Sequence, residues 1–259
     1  MALRPVVAVH GGAGAWRGLD IDFDSIRRAL VEAVVAGLEA SRSGSCLDMV
    51  VEAIAYLEDS GLFNAGVGSV LDYTGGLSMD AGLMIGDGRA GAVALVSYPR
   101  NPIRLARIVL EKTPHVILAG PQADELAKRI GLEKHPGPHP RALERWRKLR
   151  EKPEGSKWLY ERVEAAKALG YDTVGAVALD SRGCLAAGAS TGGVALKLPG
   201  RIGDSPIPGA GFYANREVAV SATGIGETII MSMSSLRVAQ LYELTGSLED
   251  AVNIVVREH

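Results

Sequence analysis

The order of its periodic segments restricts this chain more than any single motif. Residues 22–42 carry apolar side chains at helical spacing (Ile26, Leu30, Val34, Leu38), and Asp24 or Ser25 can cap the run. Residues 47–57 repeat the pattern. Residues 79–85 and 90–96 read as two strands around the turn Gly86-Asp87-Gly88, after a short buried strand at residues 5–10. Helices follow at residues 101–111 and 122–130, with a short strand at 116–119 between them. Past Gly170 the pattern turns to strands again. Residues 173–180 and 184–190 form a hairpin across Ser181-Arg182-Gly183, and residues 209–215 and 217–222 form a second. Residues 228–244 and 248–257 return to helical spacing. Helices and strands thus come in blocks, whereas a parallel sheet with crossover helices alternates them. The reading is α+β, a layered sandwich with helices outside and sheets inside.

The 259 residues are 47% hydrophobic, enough to bury a core as a single domain. The 32 glycines and 5% aromatics suit closely packed strands and sharp turns. Basic residues number 28 against 30 acidic ones, so no dedicated nucleic-acid surface is expected. No apolar run reaches the roughly 18 residues of a membrane span, and the opening residues read as strand and turn rather than as a leader. Two cysteines, Cys46 and Cys184, are too few for a disulfide framework or a four-thiolate site. They are expected as core residues of a cytoplasmic protein. Pro136, Pro138 and Pro140, followed by a charge-dense stretch, mark residues 135–172 as an exposed connection. Its basic run at 141–152 reads as a solvated helix.

Common catalytic patterns are missing. There is no G-x-S-x-G elbow and no G-x-x-x-x-G-K-[ST] loop. His135 and His139 are four apart, but the intervening prolines forbid the helix that would align them on a metal. Gly224-Ile225-Gly226 follows a strand and opens a helix, yet Ile229 stands where a dinucleotide loop needs its third glycine. The plainer use of that segment is a set of backbone amides for a developing negative charge. Thr173 opens a strand directly after the charged connection. Downstream come Ser190-Thr191-Gly192-Gly193, then Arg201 and Asp204 in a Gly-flanked loop, then Ser221-Ala222-Thr223-Gly224-Ile225-Gly226-Glu227. A strand starter, a self-tied loop and a helix cap are the bland readings of Thr173, the Arg201/Asp204 pair and Thr223. The residues alone leave both kinds of reading open.

In order and spacing, TVGAVALD, STGG, LPGRIGDSPIPGAG and SATGIGE resemble the plant-type L-asparaginase / isoaspartyl peptidase family of N-terminal-nucleophile hydrolases. VHGGAGAW and LEDSGLFNAGVGSVLDYTGGLSMDA extend the resemblance over nearly the whole chain. It implies a four-layer αββα sandwich and a precursor that cuts itself before a threonine, here at Asp172–Thr173. An α segment (1–172) and a β segment (173–259) would result, with two such αβ units forming a homodimer. The freed Thr173 would carry both a hydroxyl and an α-amine, whose pKa of about 7.7–8.0 lets it accept the hydroxyl proton near neutrality. The implied substrates are L-asparagine or β-aspartyl (isoaspartyl) dipeptides, hydrolysed to L-aspartate.

The resemblance also implies residue roles. Thr191 orients Thr173. Arg201 pairs with the substrate α-carboxylate, and Asp204 takes the α-ammonium together with the backbone of Gly226. The Thr223 hydroxyl and the Gly224 amide form the oxyanion hole. No organic cofactor is implied. The main-chain carbonyls of Leu57, Glu58, Ser60, Phe63, Ala65 and Val67 match positions that wrap a sodium ion in this family.

Two features depart from the pattern. Asp172, not glycine, precedes the nucleophile, and an Asp–Thr junction resembles glycosylasparaginases, as does GDSPIPGAG. A glycosylasparaginase-like hydrolase is therefore the alternative. The family's C-terminal strand pair also has no counterpart in the sequence, which allows an unprocessed, non-catalytic relative.

Overall fold

The computed structural model describes residues 3–14, 22–42, 44–150 and 173–257. Its strands are β1 (Val6–His10), β2 (Met79–Ile85), β3 (Ala90–Val96), β4 (Ile117–Ala119), β5 (Val174–Leu179), β6 (Leu185–Thr191), β7 (Phe212–Ala214) and β8 (Ala219–Ser221). Its helices are α1 (Phe23–Ala40), α2 (Cys46–Asp59), α3 (Pro102–Lys112), α4 (Gly120–Arg129), α5 (Pro140–Arg150), α6 (Gly226–Ser232), α7 (Ser234–Thr245) and α8 (Leu248–Arg257). The result is a mixed α/β fold. Six strands form one sheet in the order β1-β5-β6-β2-β3-β4, antiparallel except for the β3–β4 pair. β7 and β8 pair separately.

The large sheet is covered on both faces, and small residues let its neighbours come close. On β5, Val174, Ala176 and Ala178 belong to the core shared with α2, whereas Val177 packs with Phe212 of β7. On β6, Ser190 faces α2 while Ala187 and Ala189 lie against Phe212. A Cβ on Gly188 would already touch Val50 and Ile54 of α2 at 3.0 and 3.1 Å. One on Gly82 would run into the Phe212 ring. This strand period of two decides the site. Thr173 and Thr191 lie one step beyond the Val174↔Ser190 pair, on the face turned toward β7 and β8. Helix α7 packs on β7 and β8 in turn. On the opposite face, α2 buries Met49, Val50, Ile54 and Leu57 completely, each worth roughly 1.5–3 kcal/mol.

Several expectations change. The helix read at 228–244 is broken at Met233, whose φ is 49°. The break lets Leu236 N–H donate to Gly209 O (2.9 Å) and Ser235 Oγ donate to Ala210 O (2.6 Å), seating α7 on the turn before β7. Over its described part the connection from residue 135 docks along one face, while Pro136, Pro138, Arg141, Glu144, Arg147 and Lys148 are exposed. His135 is buried with Nε2 at 3.0 Å from Gly66 O. In α5, Trp146 Nε1 donates to Asp72 O (2.9 Å), and Leu149 is buried beside Val194 and Leu196. The remainder of that connection, including Asp172, lies outside the described residues. Cys46 and Cys184 are not separate core residues but a disulfide, with Cα atoms 5.7 Å apart. The paired cysteines no longer favour a cytoplasmic location. Among the described residues no helix is long and apolar enough to cross a membrane.

Candidate active site

Antiparallel pairing of β5 with β6 brings two hydroxyls together at one sheet end. Thr173 is buried, and its Oγ1 donates to Thr191 Oγ1 at 3.1 Å. Thr191 Oγ1 also accepts the Gly193 N–H at 3.0 Å, which fixes it at the strand end. The Gly192-Gly193 turn is held by Asn64. Its Nδ2 donates to Gly193 O (2.6 Å), and its carbonyl accepts the Gly192 N–H (2.9 Å).

His10, the last residue of β1, lies beneath this pair. It stands opposite Gly175 in the sheet register, two residues after Thr173. Its Nε2 is 2.9 Å from Ser221 Oγ at the end of β8. Both groups occupy the space that a side chain on Gly175 would need. Burial pushes the imidazole down to about 4, against a weaker upward pull from the Thr173 backbone, so His10 is neutral near pH 7.

The chain runs from Ser221 to Thr223 and Gly224, and then into α6. The Thr223 hydroxyl is buried and has no hydrogen-bond partner among the described residues, and Gly224 has a φ of 152°. At Gly226 a third group converges. A Cβ there would come within 2.7 Å of Arg201 Nη2 and 3.0 Å of Asp204 Oδ1, so only glycine leaves room. Arg201 pairs with Glu227 of α6 through Nε (3.0 Å) and Nη2 (2.9 Å). Asp204 is buried, and among the described residues its Oδ2 has no hydrogen-bond partner. Burial raises its carboxyl to about 6, while its own backbone amide and Arg201 oppose the rise. An orphaned carboxylate oxygen beside a guanidinium offers complementary charges to a molecule carrying both.

A profile of the asparaginase family matches residues 3–259. The chain belongs to the asparaginase family. It is 50% identical to a plant-type L-asparaginase of Pyrobaculum calidifontis, over 96% of this chain and 84% of that one. An isoaspartyl peptidase of Escherichia coli is 42% identical over 98% of this chain and 82% of its own length. An isoaspartyl peptidase/L-asparaginase of Bos taurus is 42% identical over 97% and 81%.

Within this asparaginase-family fold the sequence-derived residues fall into two connected groups. Thr173 and Thr191 touch directly, and Arg201, Asp204 and Gly226 meet around one point. Thr223 and Gly224 lie on the segment joining them. Asn64, His10, Ser221 and Glu227 were not singled out from the sequence. Each lies inside a quoted motif, His10 in VHGGAGAW, Asn64 in LEDSGLFNAGVGSVLDYTGGLSMDA, and Ser221 and Glu227 in SATGIGE, but their partners come only from tertiary contacts. Lys197 was also missed. It is buried, donates from Nζ to Ser78 O (2.9 Å), and desolvation lowers its amine.

The loop expected to wrap sodium curls on itself. Gly66, with φ 51°, packs on the Glu58 carbonyl 2.7 Å from where its Cβ would be, and Gly68 abuts the carbonyls of Gly61 and Phe63. Backbone oxygens are the hard donors a sodium ion would need, and of the six carbonyls those of Leu57, Phe63 and Ala65 each already accept one hydrogen bond, from Ser60 Oγ, Ala65 N–H and Gly68 N–H. Glu58 contributes more than a carbonyl. Its side chain is fully buried, with Oε1 accepting from Ser190 Oγ (2.6 Å) and Ile103 N–H (3.1 Å). Burial raises this carboxyl to about 8 despite those hydrogen bonds.

Proposed function

We propose that the chain is a self-cleaving amidohydrolase that converts L-asparagine, β-aspartyl dipeptides or both into L-aspartate. The buried Thr173–Thr191 contact, set beside the Arg201/Asp204 receptor, carries this reading. In the precursor, the Thr173 hydroxyl attacks the carbonyl of Asp172. The C–N bond breaks as the ester to Oγ1 forms, which frees the Thr173 amine, and water then opens the ester to release the Asp172 carboxylate and restore the hydroxyl. That amine then takes the hydroxyl proton as Oγ1 adds to the substrate's side-chain carbonyl.

The Thr223 hydroxyl and Gly224 amide hold the oxyanion, each donor worth roughly 3–4 kcal/mol in the transition state. Ammonia or an amino acid leaves with the proton, and water hydrolyses the aspartyl ester. Arg201 and Asp204 require a free α-carboxylate and α-ammonium on the aspartyl unit. Neutral His10 serves as packing beneath Thr173, and with its imidazole pushed down to about 4 it is too weak a base to take the proton in place of the amine.

The same reading takes residues 1–172 and 173–259 as the two subunits of a four-layer αββα sandwich. It extends to a homodimer of these αβ units acting in the cytoplasm. The packing of α2 and α3 on one face of the six-stranded sheet, and of β7, β8 and α7 beyond the other, supports the layering. A sodium ion held by the carbonyls of Leu57, Glu58, Ser60, Phe63, Ala65 and Val67 would fix the loop that carries Asn64 and take no part in the chemistry. The deciding experiment is ammonia release from asparagine and amino-acid release from β-aspartyl dipeptides. Thr173→Ala should abolish both, together with self-cleavage. Turnover that survives in this variant, or sugar release from glycosylated asparagine in place of either, would reject the reading.

A further inference from the structure

Cys46 opens α2, and Cys184 stands between β5 and β6, 138 residues further on. Their Cα separation of 5.7 Å lies in the range a disulfide spans. A neighbouring carboxylate holds the two backbones there independently of sulfur. Asp180 Oδ2 accepts the Cys46 N–H at 3.3 Å, and its Oδ1 accepts the Cys184 N–H at 3.0 Å. The same carboxylate argues for a disulfide over a metal. The ligand atoms of Cys46, Asp180 and Cys184 do lie within 4.8 Å of one another. Both Asp180 oxygens, however, are already occupied by N–H donors, and Arg182 adds a guanidinium at 2.9 Å. Two remaining thiolates are too few for a closed tetrahedral site.

The positions of the two cysteines matter for a chain that cuts itself. Cys46 belongs to the segment before Thr173 and Cys184 to the segment after it. The sequence holds no other cysteine. We propose that the Cys46–Cys184 disulfide is a covalent clamp across the processing junction, so that scission before Thr173 leaves the two segments as one molecule. This rests on the self-cleavage reading above. The bond forms by thiol–disulfide exchange with a low-molecular-weight disulfide. That reagent accepts two electrons from the two thiols and leaves as two thiols of its own, carrying the two protons. Without the clamp, the processed protein is a two-chain complex, and its apparent stability falls on dilution. With it, the two segments of one αβ unit stay at a high effective concentration for each other.

The test uses wild-type protein after processing, denatured with iodoacetamide and weighed by mass spectrometry. Without reductant the expected species is the full chain plus one water, carrying no alkyl group. With reductant it should separate into residues 1–172 and 173–259, each alkylated once. Cys184→Ser should give the two fragments without reductant. The thermal midpoint should fall more steeply over about hundredfold dilution in the reduced protein than in the oxidised one, since any contact between αβ units contributes to both. Two alkylated fragments without reductant would overturn the clamp and leave the cleavage reading standing. An equal dilution dependence in the two states would also overturn it. A chain that stays whole under reduction, with no added water, would overturn the cleavage reading and the clamp's role together. The alkyl count would then still report separately whether the bond exists.

Discussion

In the proposed reaction Arg201 and Asp204 share the task of holding an aspartyl zwitterion, and their surroundings set how each fails. The Arg201 fork is aligned by Glu227, with two nitrogens engaged at 2.9–3.0 Å. Lysine keeps the charge but offers a single point instead of a planar fork. Arg201→Lys should therefore weaken substrate binding by roughly 1–3 kcal/mol, appearing as a raised KM with kcat little changed. Steady-state kinetics on fully cleaved protein measures this, and a fall in kcat alone would move Arg201 into the chemical step. Asp204 must be ionised to receive an ammonium group, and burial raises its carboxyl to about 6. The Thr173 amine, at about 7.7–8.0, must also be unprotonated, so kcat/KM should fall about tenfold per pH unit below that range and about a hundredfold per unit once Asp204 protonates below about 6. His10 titrates too low, near 4, to produce this steepening. A pH profile that steepens only near the ordinary carboxylate value would remove Asp204 from the ammonium site.

At the level of elements, the site depends on how closely β1, β5 and β8 approach one another. Gly175 is where they meet, since His10 Nε2 and Ser221 Oγ fill the space a methyl would take, and Gly188 O lies 3.0 Å away. Gly175→Ala should push β5 off its neighbours, cost about 1–3 kcal/mol, and displace Thr173 two residues away. Thermal unfolding and the fraction of cleaved chain read the two effects. A variant as stable and as fully processed as wild type would contradict this account. The β5–β6 hairpin was legible because two apolar runs flank the turn Ser181-Arg182-Gly183, and Thr173 and Thr191 came with it. The tight Gly-flanked loop likewise placed Arg201 near Asp204. The break at Met233 was not legible, because Ile229, Leu236 and Leu241 keep helical spacing across it. Only the tertiary bonds to Gly209 and Ala210 impose it. His10 and Asn64 were hidden for the same reason, as each acquires its position from a strand or loop distant in sequence. The Cys46–Cys184 pairing was missed because a separation of 138 residues carries no pattern.

For the molecule as a whole, the buried carboxyl of Glu58 ties stability to pH. Its proton is held in the folded state up to about 8 but is lost near the ordinary value of 4.5 once the chain unfolds. Between those values the folded state binds more protons, so this group's contribution to stability falls as pH rises. The other buried groups act in different windows or with opposite sign. Asp204, raised to about 6, acts in the same sense but only below that pH. His10, lowered to about 4, works in the opposite sense, since its unfolded form binds the extra proton between 4 and 6.5. His135 is lowered as well and shares that sign. Lys197, lowered by burial, also opposes Glu58, above its own folded value. The Glu58 effect is therefore isolated by comparison with Glu58→Gln. Glutamine keeps an oxygen for Ser190 Oγ and Ile103 N–H, and it places an amide where Oε2 has no partner. From pH 6.5 to 8 wild type should lose about 1–2 kcal/mol relative to this variant. Denaturant unfolding at both pH values, with Thr173→Ala in each protein to keep the new amine out of the titration, measures the difference. Equal slopes in the two proteins would mean that Glu58 is ionised in the fold. The charge would then need a partner at Oε2, and the loop around the Glu58 carbonyl is where a bound cation would supply one.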